Sequence, residues 1–427
     1  MIDINLLRKD PAFYRKSTRA KGINPDTVDE VLRFDRERLE LLQKVEKLRG
    51  ERNKITAKLK NIRTEERKNK ENQKLVEQVR EIKKKLDDVE PQLKRAEESF
   101  NELLLRIPNP PAPDVPAGKD ESGNKEIRRW GEKPSFDFQA KGHTEIAEQL
   151  GLIDFIRGAK VAESGYYYLT NDAVLLELSL IRYGIDFLLQ RGFHPVLTPD
   201  VARERYYLGT GYLPKGPEAQ TYMLQDTDLG LIATAEVTIA GFHADELLDA
   251  SELPIKYAGY SHCFRQEAGA YGKYSKGLYR VHQFTKVEMF MYTAADQSQA
   301  AHQELLKTEE EFWQSLGIPY RVLEMCSGDL GAQAVKKYDL EAWMPGRNDW
   351  GEITSTSNTT DYQARRLNIK YKDKTGTHFA HTLNGTLVAT SRGIIAILEN
   401  YQKKDGSVTV PEALRKYMGK DVMNKAK

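Results

Sequence analysis

Residues 257–290 read YAGYSHCFRQEAGAYGKYSKGLYRVHQFTKVEMF, two runs rich in aromatic and β-branched residues joined by a loop that holds Gly269, Gly272 and Gly277. Such a connection predicts a β-hairpin. By the two-residue period of a strand, Arg265 and Glu267 share one face of the first arm, and Arg280, Phe284 and Glu288 share one face of the second. Guanidinium forks grip phosphate through paired hydrogen bonds and an aromatic ring can stack on a base, so this face suits a nucleotide. The same spacing also fits a cross-strand ladder of ion pairs on a solvated surface.

Outward from the hairpin, LGLIATAEV (229–237) and THFAHTLNGTLVAT (377–390) read as further strands with few helical crossovers between them, which predicts an antiparallel sheet. A long apolar-patterned helix starts at Asp172, a strand FHPVLTP ends at Pro199, and a helix SRGIIAILENYQ starts at Ser391. Arg392, at the start of a helix that follows a strand, is placed where helix amides and a guanidinium both favour an anion. Glu352 and Ser355, three apart in GEITSTSN, could hold a divalent cation that bridges phosphates. Thr234 and Glu236 could receive a small cationic head group. Each of these three has an ordinary reading as a surface or strand residue.

The front of the chain is different. Leu41, Val45, Leu48, Ile55, Leu59 and Ile62 follow alternating steps of four and three, and Leu75, Val79, Ile82, Leu86, Val89, Leu93, Ala96, Phe100 and Leu103 continue them over four heptads. A seam of 3.5-residue period buries only against a partner helix, so the two segments predict an antiparallel coiled-coil hairpin. Pro91 predicts a bend in its second helix. Between Lys58 and Lys74 seven basic residues face three acidic ones, which suits a phosphate backbone, although a spacer or dimerisation rod explains the helices equally well. Five prolines between Pro108 and Pro116 then mark an extended crossing. The expected organisation is a hairpin domain over 1–107, a proline-rich linker over 108–133 and a mixed α+β domain over 134–427.

Composition limits the function classes. The net charge of +2 excludes a uniformly basic chain, so nucleic-acid affinity must be local. Two distant cysteines, Cys263 and Cys326, support neither a disulfide framework nor a structural zinc site. No apolar run reaches the about 18 residues of a membrane span, and the charged start MIDINLLRKDP lacks a signal pattern. A cytoplasmic protein with no membrane partner is expected.

The ordered set of segments resembles the seryl-tRNA synthetases of the bacterial type, which are class II aminoacyl-tRNA synthetases. FRQEAG followed by GLYRVHQFTKVE is similar to the family's second class-defining motif, LNGTLVATSRGIIAILENYQ to its third, and the long helix with the strand ending at Pro199 to its first. TAEV, EITSTSN, DYQARR and VPEALRKYMG are similar to family segments at the expected spacing. The resemblance implies an α+β fold: an N-terminal antiparallel helical hairpin, then a catalytic domain with an antiparallel sheet of six to eight strands flanked by helices. It also implies a homodimer, L-serine as substrate, and ATP with Mg²⁺.

Residue by residue, the resemblance implies Arg265 and Arg392 as the catalytic pair. Arg265 would bridge the serine carboxylate and the α-phosphate, Phe284 would stack on adenine, Arg280 and Arg392 would hold the γ-phosphate end, and Glu267 would lie near the adenine or ribose. Gln266, Val281, Ile353 and Thr354 would complete the ATP site, with Glu352 and Ser355 supporting the metal. Thr234, Ala235 and Glu236 would surround the serine ammonium, Glu288 and Thr386 its hydroxyl, with Asn384 and Arg265 in the same pocket. Lys58, Lys60, Arg63, Arg67, Lys68 and Lys70 would grip the long variable arm of tRNA(Ser), with tRNA(Sec) left open as a second acceptor. Residues 204–225 are expected to close over the site.

Other functions share this catalytic domain. Amino-acid:carrier-protein ligases lack the hairpin that this chain carries. A non-catalytic tRNA-binding paralogue predicts losses at Arg265, Glu352 or Arg392, and all three are present. Threonine and proline enzymes usually append an anticodon-reading domain, for which the 35 residues after Arg392 leave too little chain.

Overall fold

The computed structural model describes residues 1–60, 70–212, 220–267 and 277–425. These residues form two compact units, Ile2–Pro108 and Asn109–Lys427.

In the first unit, helix α1 (Asp26–Lys60) packs against helix α2 (Lys70–Arg106). Ile82, Leu86, Val89 and Leu93 are buried with Val45, and Leu41, Leu48 and Ile55 close the seam. Beyond Phe100 the buried position is Leu104 rather than the expected Leu103. An α-helix drifts against a strict 3.5-residue repeat, and a step of four brings the apolar stripe back to its partner. The bend expected at Pro91 does not interrupt α2. Pro91 lies on the exposed face, where the Asp87 carbonyl deprived of its amide partner is open to water. Of the basic tip, Lys58, Lys60 and Lys70 are exposed at the helix ends, while Arg63, Arg67 and Lys68 lie outside the described residues.

The second unit is built on one sheet. Its strands are β1 (Lys125–Trp130), β2 (His194–Leu197), β3 (Ile255–Phe264), β4 (Gln283–Thr293), β5 (Tyr320–Glu324), β6 (Lys336–Met344), β7 (Asp349–Thr360) and β8 (His381–Ala389). They lie in the order β1-β5-β6-β7-β8-β4-β3-β2. Every pair is antiparallel except β2 with β3, which is parallel.

Two expected strands are corrected. In LGLIATAEV only Leu229–Leu231 is a strand, and Ala235–Phe242 is a helix. The Thr234 hydroxyl accepts from the Glu236 amide at 3.1 Å and so caps that helix, a role that short apolar alternation conceals. THFAHTLNGTLVAT is broken at Ala380, whose amide donates to the Ile369 carbonyl, so Gly376–Phe379 joins a separate small sheet and only β8 joins the main one.

Helices α3 (Asp172–Leu189), α5 (Ser298–Ser315) and α6 (Thr390–Asn400) cover one face of the sheet, with α4 (Ala235–Phe242) on the other. Val287, Met289 and Met291 of β4 are buried with Leu176, Leu180, Trp313 and Ile394 of the first layer. Phe290 and Tyr292 are buried with Ala235, Ile239 and Ala240 of α4. Fully burying a side chain of this size contributes about 2–3 kcal/mol. The face of β4 that carries Phe290 and Tyr292 also carries Phe284, Lys286 and Glu288, so the strand passes from core to cleft along one row. Gly259, opposite Glu288, allows α4 to lie close: a Cβ there would stand 2.3 Å from Ile239 Cδ1.

Candidate active site

Arg265 and Glu267 lie just past the end of β3, and Arg280 just before β4, so the two arms of the hairpin deliver them to one end of the cleft. The Arg265 guanidinium carbon lies 5.1 Å from the centre of the Phe284 ring. Arg280 Nη1 is 3.2 Å from Glu267 Oε2, and Arg392 Nη1 is 2.8 Å from Glu352 Oε1. Glu267 has a φ of 48°, a left-handed conformation that costs a non-glycine residue about 1 kcal/mol and often accompanies functional strain. Burial alone would raise the Glu352 pKa, but Arg392 and then Lys337 hold it down at about 2. Glu352 is therefore a fixed anion at neutral pH, and Arg392, which also lies 5.1 Å over the Tyr279 ring, is its fixed cation.

Deeper in the cleft the groups are nearly dry. Lys286 pairs with Glu288, and its Nζ donates to the Thr234 hydroxyl at 2.8 Å. The Thr234 hydroxyl in turn donates to Glu288 Oε2 at 2.8 Å. Glu236 accepts from Gln363 Nε2 at 2.6 Å, from Asn384 Nδ2 at 2.9 Å and from the Tyr212 hydroxyl at 3.0 Å. Burial first, and the neighbouring Glu288 charge second, push the Glu236 carboxyl up to about 7. A buried carboxyl poised to ionise suits an arriving ammonium group.

Two adjoining cavities follow from this arrangement. The larger, about 500 Å³, is lined by Tyr212, Glu236, Glu288, Lys337, Asn384 and Thr386 among others. The smaller, about 50 Å³, is lined by Glu267, Tyr279, Arg280, Val281, Phe284 and Arg392 among others, with Ile353 and Thr354 on its wall. Arg265, Lys286, Glu352, Ser355 and Thr386 line both.

Three of the residues expected at the site are held elsewhere. Ala235 is buried in the helix packing and Thr234 is consumed by the Lys286–Glu288 pair, so neither lines a cavity. Gln266 instead binds the neighbouring segment, its Nε2 donating to the Thr221 carbonyl at 3.0 Å. Of the loop expected to close over the cleft, 213–219 lie outside the described residues. Sequence reasoning missed Lys286, Tyr212, Tyr279 and Lys337. Lys286 was discoverable, because it lies midway between Phe284 and Glu288 on the same strand face. Lys337, whose Nζ is 3.3 Å from Asp339 Oδ1, carried no local signal.

A divalent cation fits the wall where the cavities meet. Glu352 is ionised and half-buried, Ser355 offers a hydroxyl beside it, and phosphate oxygens would supply the remaining ligands. Among the described residues no group of three His, Cys, Asp or Glu side chains could hold a metal without such a substrate.

Residues 1–111 match the family described as Seryl-tRNA synthetase N-terminal domain, and residues 222–401 match tRNA synthetase class II core domain (G, H, P, S and T). The chain is 50% identical to the serine–tRNA ligase of Rubrobacter xylanophilus over the whole of both chains. Its structure is similar to that of seryl-tRNA synthetase from Pyrococcus horikoshii complexed with ATP, at a TM-score of 0.91 and 41% identity over the whole of both chains. It is also similar to the cytoplasmic serine–tRNA ligase of Naegleria fowleri in complex with AMP, at a TM-score of 0.84 and 33% identity, covering 100% of this chain and 99% of that one. With conserved architecture and full-length identity in agreement, the chain belongs to the seryl-tRNA synthetase family.

Proposed function

We propose that this chain activates L-serine with ATP and transfers the seryl group to the 3′ end of tRNA(Ser), in the cytoplasm and as a homodimer. The observation that carries this reading is the position of Arg265, which lines both the dry carboxylate-rich cavity and the arginine-rich one. A single cation at that junction can touch a carboxylate on one side and a phosphate on the other.

In the first step a serine carboxylate oxygen forms a bond to the α-phosphorus while the bond to the bridging oxygen of pyrophosphate breaks. No proton needs to move. Arg265 neutralises charge at the reacting centre, Arg280 and Arg392 hold the departing phosphates, and Phe284 stacks on the base. Binding exchanges the Arg280–Glu267 and Arg392–Glu352 pairs for phosphate contacts. Glu352 and Ser355 would hold Mg²⁺, which when bound offsets phosphate charge. Glu236, once ionised, receives the ammonium group, while Glu288 and Thr386, directly opposite each other on β4 and β8, border the hydroxyl. In the second step a ribose hydroxyl of the tRNA attacks the seryl carbonyl and AMP leaves.

The remaining assignments rest on surfaces. Leu178 on α3 is 57% exposed and Leu197 on β2 is 74% exposed, which supports a second copy of the chain as their cover. The basic residues at the ends of α1 and α2 support contact with the tRNA variable arm. No helix among the described residues is long and apolar enough to cross a membrane.

ATP–pyrophosphate exchange measured with serine, threonine, alanine and proline separately tests the reading. Exchange with serine alone is expected. No exchange with any of the four would leave a binding-only paralogue as the better reading.

A further inference from the structure

Arg280 and Arg392 belong to separate segments, yet the proposed phosphate end needs them at a fixed spacing. One side chain from a third segment ties those two together. His143 opens the helix His143–Leu150 and is mostly buried. Its backbone amide donates to Glu399 Oε1 at 3.0 Å, and its Nδ1 stands 3.0 Å from the same oxygen. Glu399 Oε2 accepts from the Gly346 amide at 2.9 Å. Glu399 lies on α6, two turns beyond Arg392. On the other side of the imidazole, the Leu278 amide donates to Nε2 at 3.2 Å, two residues before Arg280.

These partners fix the state of the ring. An amide can only donate, so Nε2 must be the bare acceptor nitrogen and Nδ1 must carry the proton that points at Glu399. The approach is close enough to require a glycine beside it. Gly277 has a φ of +71°, and a Cβ there would stand 2.1 Å from His143 Nε2. From this anchor the chain runs through buried Leu278 to Tyr279, whose ring lies 5.1 Å below the Arg392 guanidinium carbon, and on to Arg280.

We infer that His143 is a positioning residue for ATP, resting on the functional reading above. It holds the Leu278–Arg280 turn against α6 and so sets the distance between Arg280 and Arg392. Its partners Leu278 and Glu399 flank the arginines of the nucleotide end and do not line the larger cavity, so serine binding should not depend on it. Asparagine and glutamine separate the two contacts of the ring: an amide nitrogen in His143→Asn can stand for Nδ1 and keep Glu399, whereas the longer side chain of His143→Gln can place its oxygen where Nε2 accepts from Leu278.

Titration calorimetry of Mg-ATP, and separately of serine, on the full chain and both variants tests this, with thermal midpoints measured alongside. His143→Asn is expected to weaken ATP about tenfold, His143→Gln no more than about threefold, and serine affinity to stay within about twofold in both. Equal ATP affinities in the two variants, or a parallel loss of serine affinity, would overturn the positioning role. If the unchanged chain bound no ATP, the functional reading would fail, and this inference with it.

Discussion

The two ends of the cleft solve the same problem of burying charge in opposite ways. At the proposed serine end, Lys286, Glu288, Thr234 and Glu236 are almost fully buried, the first three bonded to one another and Glu236 to Gln363, Asn384 and Tyr212. At the nucleotide end, Arg280 is half-exposed, and it and Arg392 are held by carboxylates that a ligand's phosphates can replace. A dry pocket must be prebuilt, because an unpaired buried charge there costs several kcal/mol, while a wetter one can exchange partners at small cost. Under the proposed function, specificity for a small amino acid would belong to the rigid end, and grip on a triphosphate to the exchangeable one.

The sharpest test of that division is its junction. Arg265→Ala is expected to lower serine-dependent exchange about 10³-fold, since it removes a charge that acts on both substrates in the transition state. The thermal midpoint should stay nearly constant, because among the described residues the Arg265 guanidinium makes one long hydrogen bond, to the Ala233 carbonyl at 3.5 Å, beside its contact with the Phe284 ring. A large drop in the midpoint would mean that the residue is structural.

Lys286→Met should reverse that pattern. Among the described residues Glu288 would keep Thr234 alone as a side-chain partner in a buried site, and a loss of about 3 kcal/mol in unfolding free energy is expected from denaturant titration. Glu267→Gln, at the other end, breaks a partly exposed pair and should cost less than about 1 kcal/mol, while raising the KM for ATP because the carboxylate released from Arg280 is expected to turn to the adenine or ribose. Equal stability losses in the two variants would erase the contrast.

At the rigid end pH acts through Glu236. Because Glu236 is raised from 4.5 to about 7, its protonated form favours the folded state, and that contribution fades as pH rises between those values. Serine requires the ionised form. The KM for serine should therefore climb about tenfold for each unit that pH falls below 7, while the KM for ATP changes less, because Glu352 stays ionised down to about pH 2 and the neighbouring Asp339, raised to about 6, protonates only in the lower part of that range. Glu236→Gln should abolish that slope and raise the thermal midpoint above pH 7. A flat serine profile in the unchanged chain would remove Glu236 from the ammonium site.

What could be read from the sequence followed the same division. Phe284 and Glu288 were legible because strand alternation places them on one face, whereas Arg265, Glu267 and Arg280, expected on the same faces, lie beyond the strand ends and reach the cleft from the connection instead. The helical hairpin was legible for a similar reason, down to one step at Leu104 where helical drift overrides the heptad. The environment of Glu236 was not. Tyr212, Gln363 and Asn384 converge on it from a loop, a helix and a strand far apart in sequence, and only the tertiary packing brings them together. Thr234 was expected beside the ligand's ammonium group, yet its hydroxyl caps α4 and binds the Lys286–Glu288 pair, and no short pattern distinguishes the two uses.

The most direct test of the central claim follows an oxygen atom. Serine labelled with ¹⁸O in its carboxylate, incubated with ATP, Mg²⁺ and a tRNA(Ser) transcript, should yield AMP that carries one labelled oxygen per turnover, because the attacking carboxylate oxygen stays on phosphorus when the seryl group leaves. AMP without label would contradict attack at the α-phosphorus, and with it the role given to Arg265 between the two cavities.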